Sequence, residues 1–256
     1  MGKKIRRILL LFLLAVFFFS AGYIAFTLYG YEEEKRFYTD TAQQYMLLEE
    51  KENRKENTSS EPEGEIEAVP VSIDFESLRA VNSDIIGWIY CEDTVINYPV
   101  LQGADNDVYL HHTYEGNYSG AGSIFADAAN RPDFADSNTI IYGHHMKNKT
   151  MFATLENWMD QDYYEEHPVM WLLTPKQNYK IVLFSGYVTS AYSDTYTIFT
   201  GPCDEFNDYL KGCVEQSEFK TDIELDEDGY YVVLSTCAYV FDNARYVLHG
   251  ILIPWR

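Results

Sequence analysis

Tyr230-Tyr231-Val232-Val233-Leu234-Ser235-Thr236-Cys237 is the stretch on which the reading of this chain turns. The run is rich in β-branched and aromatic residues and too short for most helices, so it reads as a strand. A second run, Tyr246-Val247-Leu248 through Ile251-Leu252-Ile253, follows after a short loop. Cys237 thus ends one strand, and Arg245, eight residues on, begins the next. The two would face each other across the loop, a nucleophile beside a fixed positive charge. A thiolate attacking a carbonyl needs an acid–base partner and a donor for the developing oxyanion. Arg245 offers several donors in a planar fork and stays charged. The acid–base partner is sought upstream, in Tyr142-Gly143-His144-His145-Met146.

Working outward, more short strands appear. Ile85–Tyr90 and Val95–Val100 are split by a turn at Glu92-Asp93, and Gly122–Asp127 and Asn138–Gly143 follow. Trp171–Leu173 and Tyr179–Phe184 read as a hairpin around Pro175-Lys176-Gln177-Asn178. Helical spacing is confined to three places. Asp74 is placed to cap a short helix at Phe75, and Met151–Met159 puts Phe152, Leu155 and Met159 on one face. Asp204–Phe219 spaces Phe206, Tyr209, Leu210, Cys213 and Val214 for one side of a longer helix. Repeated short strands with few helices predict a mainly β barrel or sandwich with helical decorations.

The N-terminal end differs in character. Ile8–Tyr31 is a 24-residue run without a charge, long enough to cross a bilayer. Lys3, Lys4, Arg6 and Arg7 precede it and Glu32, Glu33 and Glu34 follow, so the positive-inside rule leaves the N-terminus cytoplasmic. A cleavable signal peptide is the rival reading, with small residues at Ser20-Ala21-Gly22, but its apolar core would normally be about 7–15 residues. The expected organisation is therefore a single-pass anchor over 1–31, an acidic stalk over 32–68 with some helix between Arg36 and Glu56, and an extracellular domain over 69–256. The formal net charge of −21 argues against a nucleic-acid partner.

The Cys–Arg and Gly-His pieces resemble those of the sortases, cysteine transpeptidases of the Gram-positive cell surface. Further segments resemble class B of that family: Asn82–Ile89, Tyr98–Gly103, Asp105–Leu110, Gly122–Asp127, and the Cys237-to-Arg245 spacing of its clostridial members. The helix over Asp204–Phe219, before the cysteine strand, fits class B as well. The resemblance implies a closed β-barrel of about eight strands with N-terminal helices. It implies Cys237 as nucleophile, His144 as acid–base and Arg245 as oxyanion donor. It points to Asn106, Leu110, Ser235 and Tyr196 as substrate-binding residues. It implies no metal or organic cofactor. The implied partners are surface proteins carrying an NPxTx- or SPxTx-like C-terminal sorting signal, and a peptidoglycan amine. A pilin lysine as acceptor, a secreted cysteine protease and an inert binding module remain as alternatives.

The other cysteines and histidines read as structural. Cys213 lies on the apolar helix face, Cys91 is near a turn, and Cys203 is too far along the helix from Cys213 to bridge it. His145 neighbours His144 and points elsewhere if the backbone is extended. His111 and His112 lack the converging ligands of a metal site, His249 sits in the last strand and His167 precedes Pro168. Asp127 and Asp242 are both candidates to orient His144 or Arg245.

Overall fold

The computed structural model describes residues 2–48 and 71–255. Contacts divide the chain into two compact units, Met1–Thr41 and Ala42–Arg256. The first is built from α1 (Lys3–Tyr45), whose apolar part is exposed, with Phe12 at 63% and Phe19 at 79%. An 18-residue window reaches a mean hydropathy of 2.6. Exposed Leu and Phe on every side of a helix suit hydrocarbon, not water, so this helix fits a single-pass membrane anchor. The helix continues through 32–45, so the start of the acidic segment is helical. The remainder of the expected stalk, 49–68, lies outside the described residues.

The second unit opens with β1 (Met46–Leu48), paired antiparallel with β2 (Val71–Ile73). Residues 46–48 thus belong to a small sheet, although their composition places them in the stalk. Asp74 then caps α2 (Phe75–Val81), accepting the Ser77 N–H at 3.0 Å.

Eight strands follow: β3 (Ile85–Tyr90), β4 (Asn97–Leu101), β5 (Ile124–Ala126), β6 (Asn138–Tyr142), β7 (Val169–Leu173), β8 (Asn178–Ser190), β9 (Tyr230–Cys237) and β10 (Ala244–Trp255). They close into a barrel in the order β10-β8-β7-β3-β4-β5-β6-β9. Closure leaves no open sheet edge. Trp88, Ile85, Ile89, Val100, Ile141, Val232 and Leu234 are buried in its core. Two pairings are parallel, β4 with β5 and β6 with β9. The second brings the C-terminal ends of β6 and β9 to the same end of the barrel, where β10 begins.

Helices decorate the barrel. The expected helix near 151–159 is a 3₁₀ helix over Ala153–Met159, not an α-helix. Asp160 ends it: extended itself, it turns its carboxylate to the N–H groups of Asp162 and Tyr163 and starts α3 (Gln161–Glu166). α4 (Asp204–Gln216) buries Phe206, Leu210 and Cys213, which recur at helical spacing. They pack on Ile140 of β6, Tyr231 and Val233 of β9, Val247 and Ile251 of β10, and Phe184 and Tyr187 of β8. Burying the Phe206 side chain is worth about 2–3 kcal/mol. This apolar patch is the floor whose continuation carries the candidate site.

Candidate active site

Register places the reactive residues. β9 and β10 pair so that Cys237 lies opposite Arg245 and Ser235 opposite Val247. β6 and β9 pair in parallel up to Tyr142 opposite Ser235. Past that point Gly143 N–H donates to the Ser235 carbonyl (3.1 Å) and Thr236 Oγ1 donates to the Gly143 carbonyl (2.8 Å). β6 ends at Tyr142, and His144 follows two residues on, at the end of the barrel where Cys237 closes β9. Strand alternation puts Tyr142 on the same face as Ser235, Cys237 and Arg245, and His144 shares its parity two residues past the strand. The cysteine, histidine and arginine expected from sequence are thus gathered at one end of one face.

His144 is half-buried, and its Nε2 lies 2.8 Å from the Leu110 carbonyl. A carbonyl only accepts, so Nε2 carries a proton in either charge state. The nitrogen left to exchange protons is Nδ1. Gly122, at φ +55°, sits so near this carbonyl that an added Cβ would lie 2.5 Å from the Leu110 oxygen, so a side chain there would displace it. Leu110, expected as a groove-lining residue, is half-buried and also supplies this contact through its backbone.

Arg245 is half-buried and donates from Nη1 to the Ala244 carbonyl (3.0 Å). The Ala238 N–H donates to that same carbonyl, also at 3.0 Å. The backbone amide after the cysteine is therefore committed, and the rest of the guanidinium is the donor group available to an oxyanion there. Among the described residues Arg245 forms no ion pair; Asp242, a candidate to orient it, is exposed in the β9–β10 loop.

Ser235 and Tyr196 meet directly, Tyr196 Oη lying 2.8 Å from Ser235 Oγ. Tyr196 also stacks on Tyr142, with centroids 6.3 Å apart and planes at 16°. Burial raises the Tyr196 phenol pKa; the Ser235 hydrogen bond and the Arg245 charge oppose that rise, while a Cys237 thiolate adds to it. Tyr196 thus stands within electrostatic reach of both. Burial also raises Tyr142, reinforced by the Asp127 charge and opposed by Arg245.

Asp127 orients neither His144 nor Arg245 directly. Its Oδ2 accepts from Tyr142 Oη (2.8 Å) and Asn106 Nδ2 (2.9 Å), and its Oδ1 accepts the Ala129 N–H (2.9 Å). Asn106 is exposed and accepts the Ala128 N–H at 2.8 Å. One buried carboxylate therefore ties the loop carrying Asn106 to the strand that delivers His144. Tyr142 and Asp127 are the groups whose part sequence reasoning missed. Their contacts span 15 and 21 residues, and only the same-face parity of Tyr142 with His144 hints at them.

The remaining thiols and imidazoles are differently placed. All four cysteines are free. Burial pushes the Cys91 thiol up to about 12 and that of Cys213 up to about 11, which suppresses their thiolates. Cys203 is exposed at the start of α4, and of the four only Cys237 pairs in strand register with an arginine. His145 turns away from His144, its Nε2 3.2 Å from Glu156 and its ring edge-on to Tyr239. His111 is exposed and stacks on Tyr118, with its ring 6.3 Å from that of His144. His112 Nδ1 lies 2.8 Å from the Val108 carbonyl. Among the described residues no three His, Cys, Asp or Glu side chains converge as a metal site would need. A concavity of about 730 Å³ lies at the other end of the β8–β10 ladder, lined by Ser72, Asp74, Arg79, Thr174 and Asn178, and shares no residue with the site.

Comparison with known proteins fits this arrangement. The sortase domain model matches residues 89–253. Sortase B of Listeria monocytogenes is 34% identical over 249 residues, covering 96% of this chain and 95% of the relative. Sortase B of Staphylococcus aureus is 37% identical over 165 residues, 64% of this chain and 67% of that protein. Among solved structures, sortase B from Bacillus anthracis in complex with AAEK1 superposes with a TM-score of 0.72 at 31% identity, covering 89% of this chain and all of that one. The S. aureus sortase B–substrate complex gives 0.67 at 32% identity over 71% of this chain and 85% of that one. An eight-stranded closed barrel with cysteine and arginine in register, together with relatives of this identity along nearly the whole length, makes the chain a member of the sortase family, in its class B.

Proposed function

We propose that this cysteine transpeptidase cleaves a C-terminal sorting signal after threonine and joins the released surface protein to a peptidoglycan amine. The Cys237 thiolate attacks the threonine carbonyl and forms the C–S bond. Negative charge gathers on the carbonyl oxygen, where the Arg245 guanidinium stabilises it. The C–N bond then breaks as His144 Nδ1 delivers a proton to the departing amine. An acceptor amine attacks the resulting thioester, gives its proton to His144 and expels the thiolate. The acyl group's energy is kept throughout, so no nucleotide is consumed. Asn106, Leu110, Ser235 and Tyr196 hold the signal along the face between Asp127 and Cys237. The α1 helix anchors the enzyme with its N-terminus in the cytoplasm and the barrel outside, where sorting signals and cell-wall amines meet.

The observation that carries this reading is the register pairing of Cys237 with Arg245, beside the parallel strand that delivers His144. The test is product analysis with NPxTx- and SPxTx-like peptides offered diaminopimelate, triglycine or a pilin-derived lysine peptide. Amide formation with a cell-wall amine in preference to water supports the proposal. Preference for the lysine peptide would favour pilin polymerisation, and products of water alone would favour a protease.

A further inference from the structure

A buried chain of polar side chains lies beneath Tyr196 and takes no part in the chemistry above. Tyr196 ends a 3₁₀ turn, Asp194–Tyr196, whose middle residue Thr195 is buried. Thr195 is gripped at two points. Its carbonyl accepts a long hydrogen bond from Tyr209 Oη (3.4 Å), and its hydroxyl lies 3.0 Å from Tyr187 Oη. Tyr209 Oη also lies 3.0 Å from His249 Nε2. The Tyr209 hydroxyl thus stands between the Thr195 carbonyl, which can only accept, and a ring nitrogen whose role follows its tautomer. Burial holds the His249 pKa down to about 3, so its ring stays neutral. The Tyr187 ring lies flat on it, at 5.3 Å and 13°, and Tyr187 Oη also reaches Cys213 Sγ at 3.6 Å.

These groups come from α4, β8 and β10, three elements that would otherwise fix only the base of the turn. We propose that Tyr209 and His249 are positioning residues: the chain His249–Tyr209–Thr195 holds the turn so that the Tyr196 hydroxyl stays on Ser235, over the face bearing Cys237 and Arg245. The proposal rests on the transpeptidase reading, in which Tyr196 contacts the sorting signal. Side-chain polarity buried this deeply is costly unless satisfied, and here it is spent on one turn beside the site.

The test is a double-mutant cycle in the full-length chain in detergent, reading the rate of peptide acylation of Cys237. Tyr209→Phe keeps the ring that packs on Phe199 and Phe206 and removes only the hydroxyl. It is expected to lower kcat/KM about 5–20-fold, chiefly through KM, and to cost less than about twofold when Tyr196 is already Phe. Amide exchange over 194–197 should speed up in Tyr209→Phe while the barrel strands keep wild-type protection. His249→Gln, whose amide can present an N–H or a carbonyl oxygen near the Nε2 position, should retain activity that His249→Leu loses. Equal losses in both Tyr196 backgrounds, or unchanged exchange over 194–197, would overturn the positioning role. Failure of the wild-type chain to acylate with any peptide would instead sink the transpeptidase reading, leaving the exchange experiment to judge the hydrogen-bonded chain.

Discussion

Arg245 and Asp127 show how much a single charged side chain can do at this site, in opposite ways. In the proposed reaction Arg245 is needed where charge develops, and a lysine cannot reproduce its planar fork. Arg245→Lys is therefore expected to lower kcat about 10²–10³-fold with a small change in KM, read from steady-state peptide cleavage. Asp127 acts on ground-state geometry. Both donors that converge on its Oδ2, from Tyr142 and Asn106, and the amide on Oδ1 need acceptors. Asp127→Asn supplies an NH₂ in place of one oxygen, so one side of this junction faces donor to donor. The expected outcome is a KM for the sorting peptide raised about 5–20-fold and a stability loss of about 1–3 kcal/mol, checked by kinetics and urea unfolding. Wild-type KM in a stable Asp127→Asn protein would refute its part in the groove.

At the level of elements, the site depends on two close approaches of backbone. Gly143, between β6 and His144, would bring a Cβ within 2.5 Å of Ile124 Cδ1 and 2.6 Å of the Phe152 ring. Gly122 bears on the carbonyl that fixes His144. Gly122→Ala adds both a clash with that carbonyl and a strained positive φ, at a cost of about 1–3 kcal/mol. Because the displaced atom is the Leu110 oxygen, activity should fall further than stability explains, by tenfold or more, when rates are compared at temperatures of equal folded fraction. The strands themselves were legible in the chain, because Ile85–Tyr90, Asn138–Tyr142 and Tyr230–Cys237 are short β-branched and aromatic runs. The facing of Cys237 and Arg245 was legible too, since a short loop between antiparallel strands fixes it. What was hidden is long-range. The contact between Thr236 and Gly143 spans 93 residues. Nothing in local periodicity announces that contact, the β1–β2 pairing or Asp127's junction. α3 was missed because it starts just past the helix expected over Met151–Met159, and no apolar spacing marks its six residues.

At the scale of the whole molecule, the barrel carries a built-in dependence on acid. His249 is fully buried on β10 and its pKa is depressed from the usual range of about 6.5 to about 3. Between those values the unfolded chain binds a proton that the native ring refuses. Stability is therefore complete above about pH 6.5 and falls as pH is lowered toward 3, by up to about 1.4 kcal/mol per unit. Urea unfolding at pH 7 and pH 4.5 should show a loss that His249→Gln reduces by roughly 2–3 kcal/mol; an identical acid loss in both proteins would refute this assignment. The same architecture explains why the site stands where it does. Parallel β6–β9 pairing and antiparallel β9–β10 pairing bring three strand ends together, and α4 covers the apolar continuation of that face. The central claim is that this junction makes Cys237 an acylating nucleophile. Intact-mass and peptide mapping of the full-length chain, incubated with a sorting-signal peptide and no amine, tests it directly. The account predicts an acyl adduct on Cys237 that hydroxylamine or an added amine removes and that Cys237→Ala lacks. An adduct on Cys203 instead, or none on a chain that binds the peptide, would contradict it.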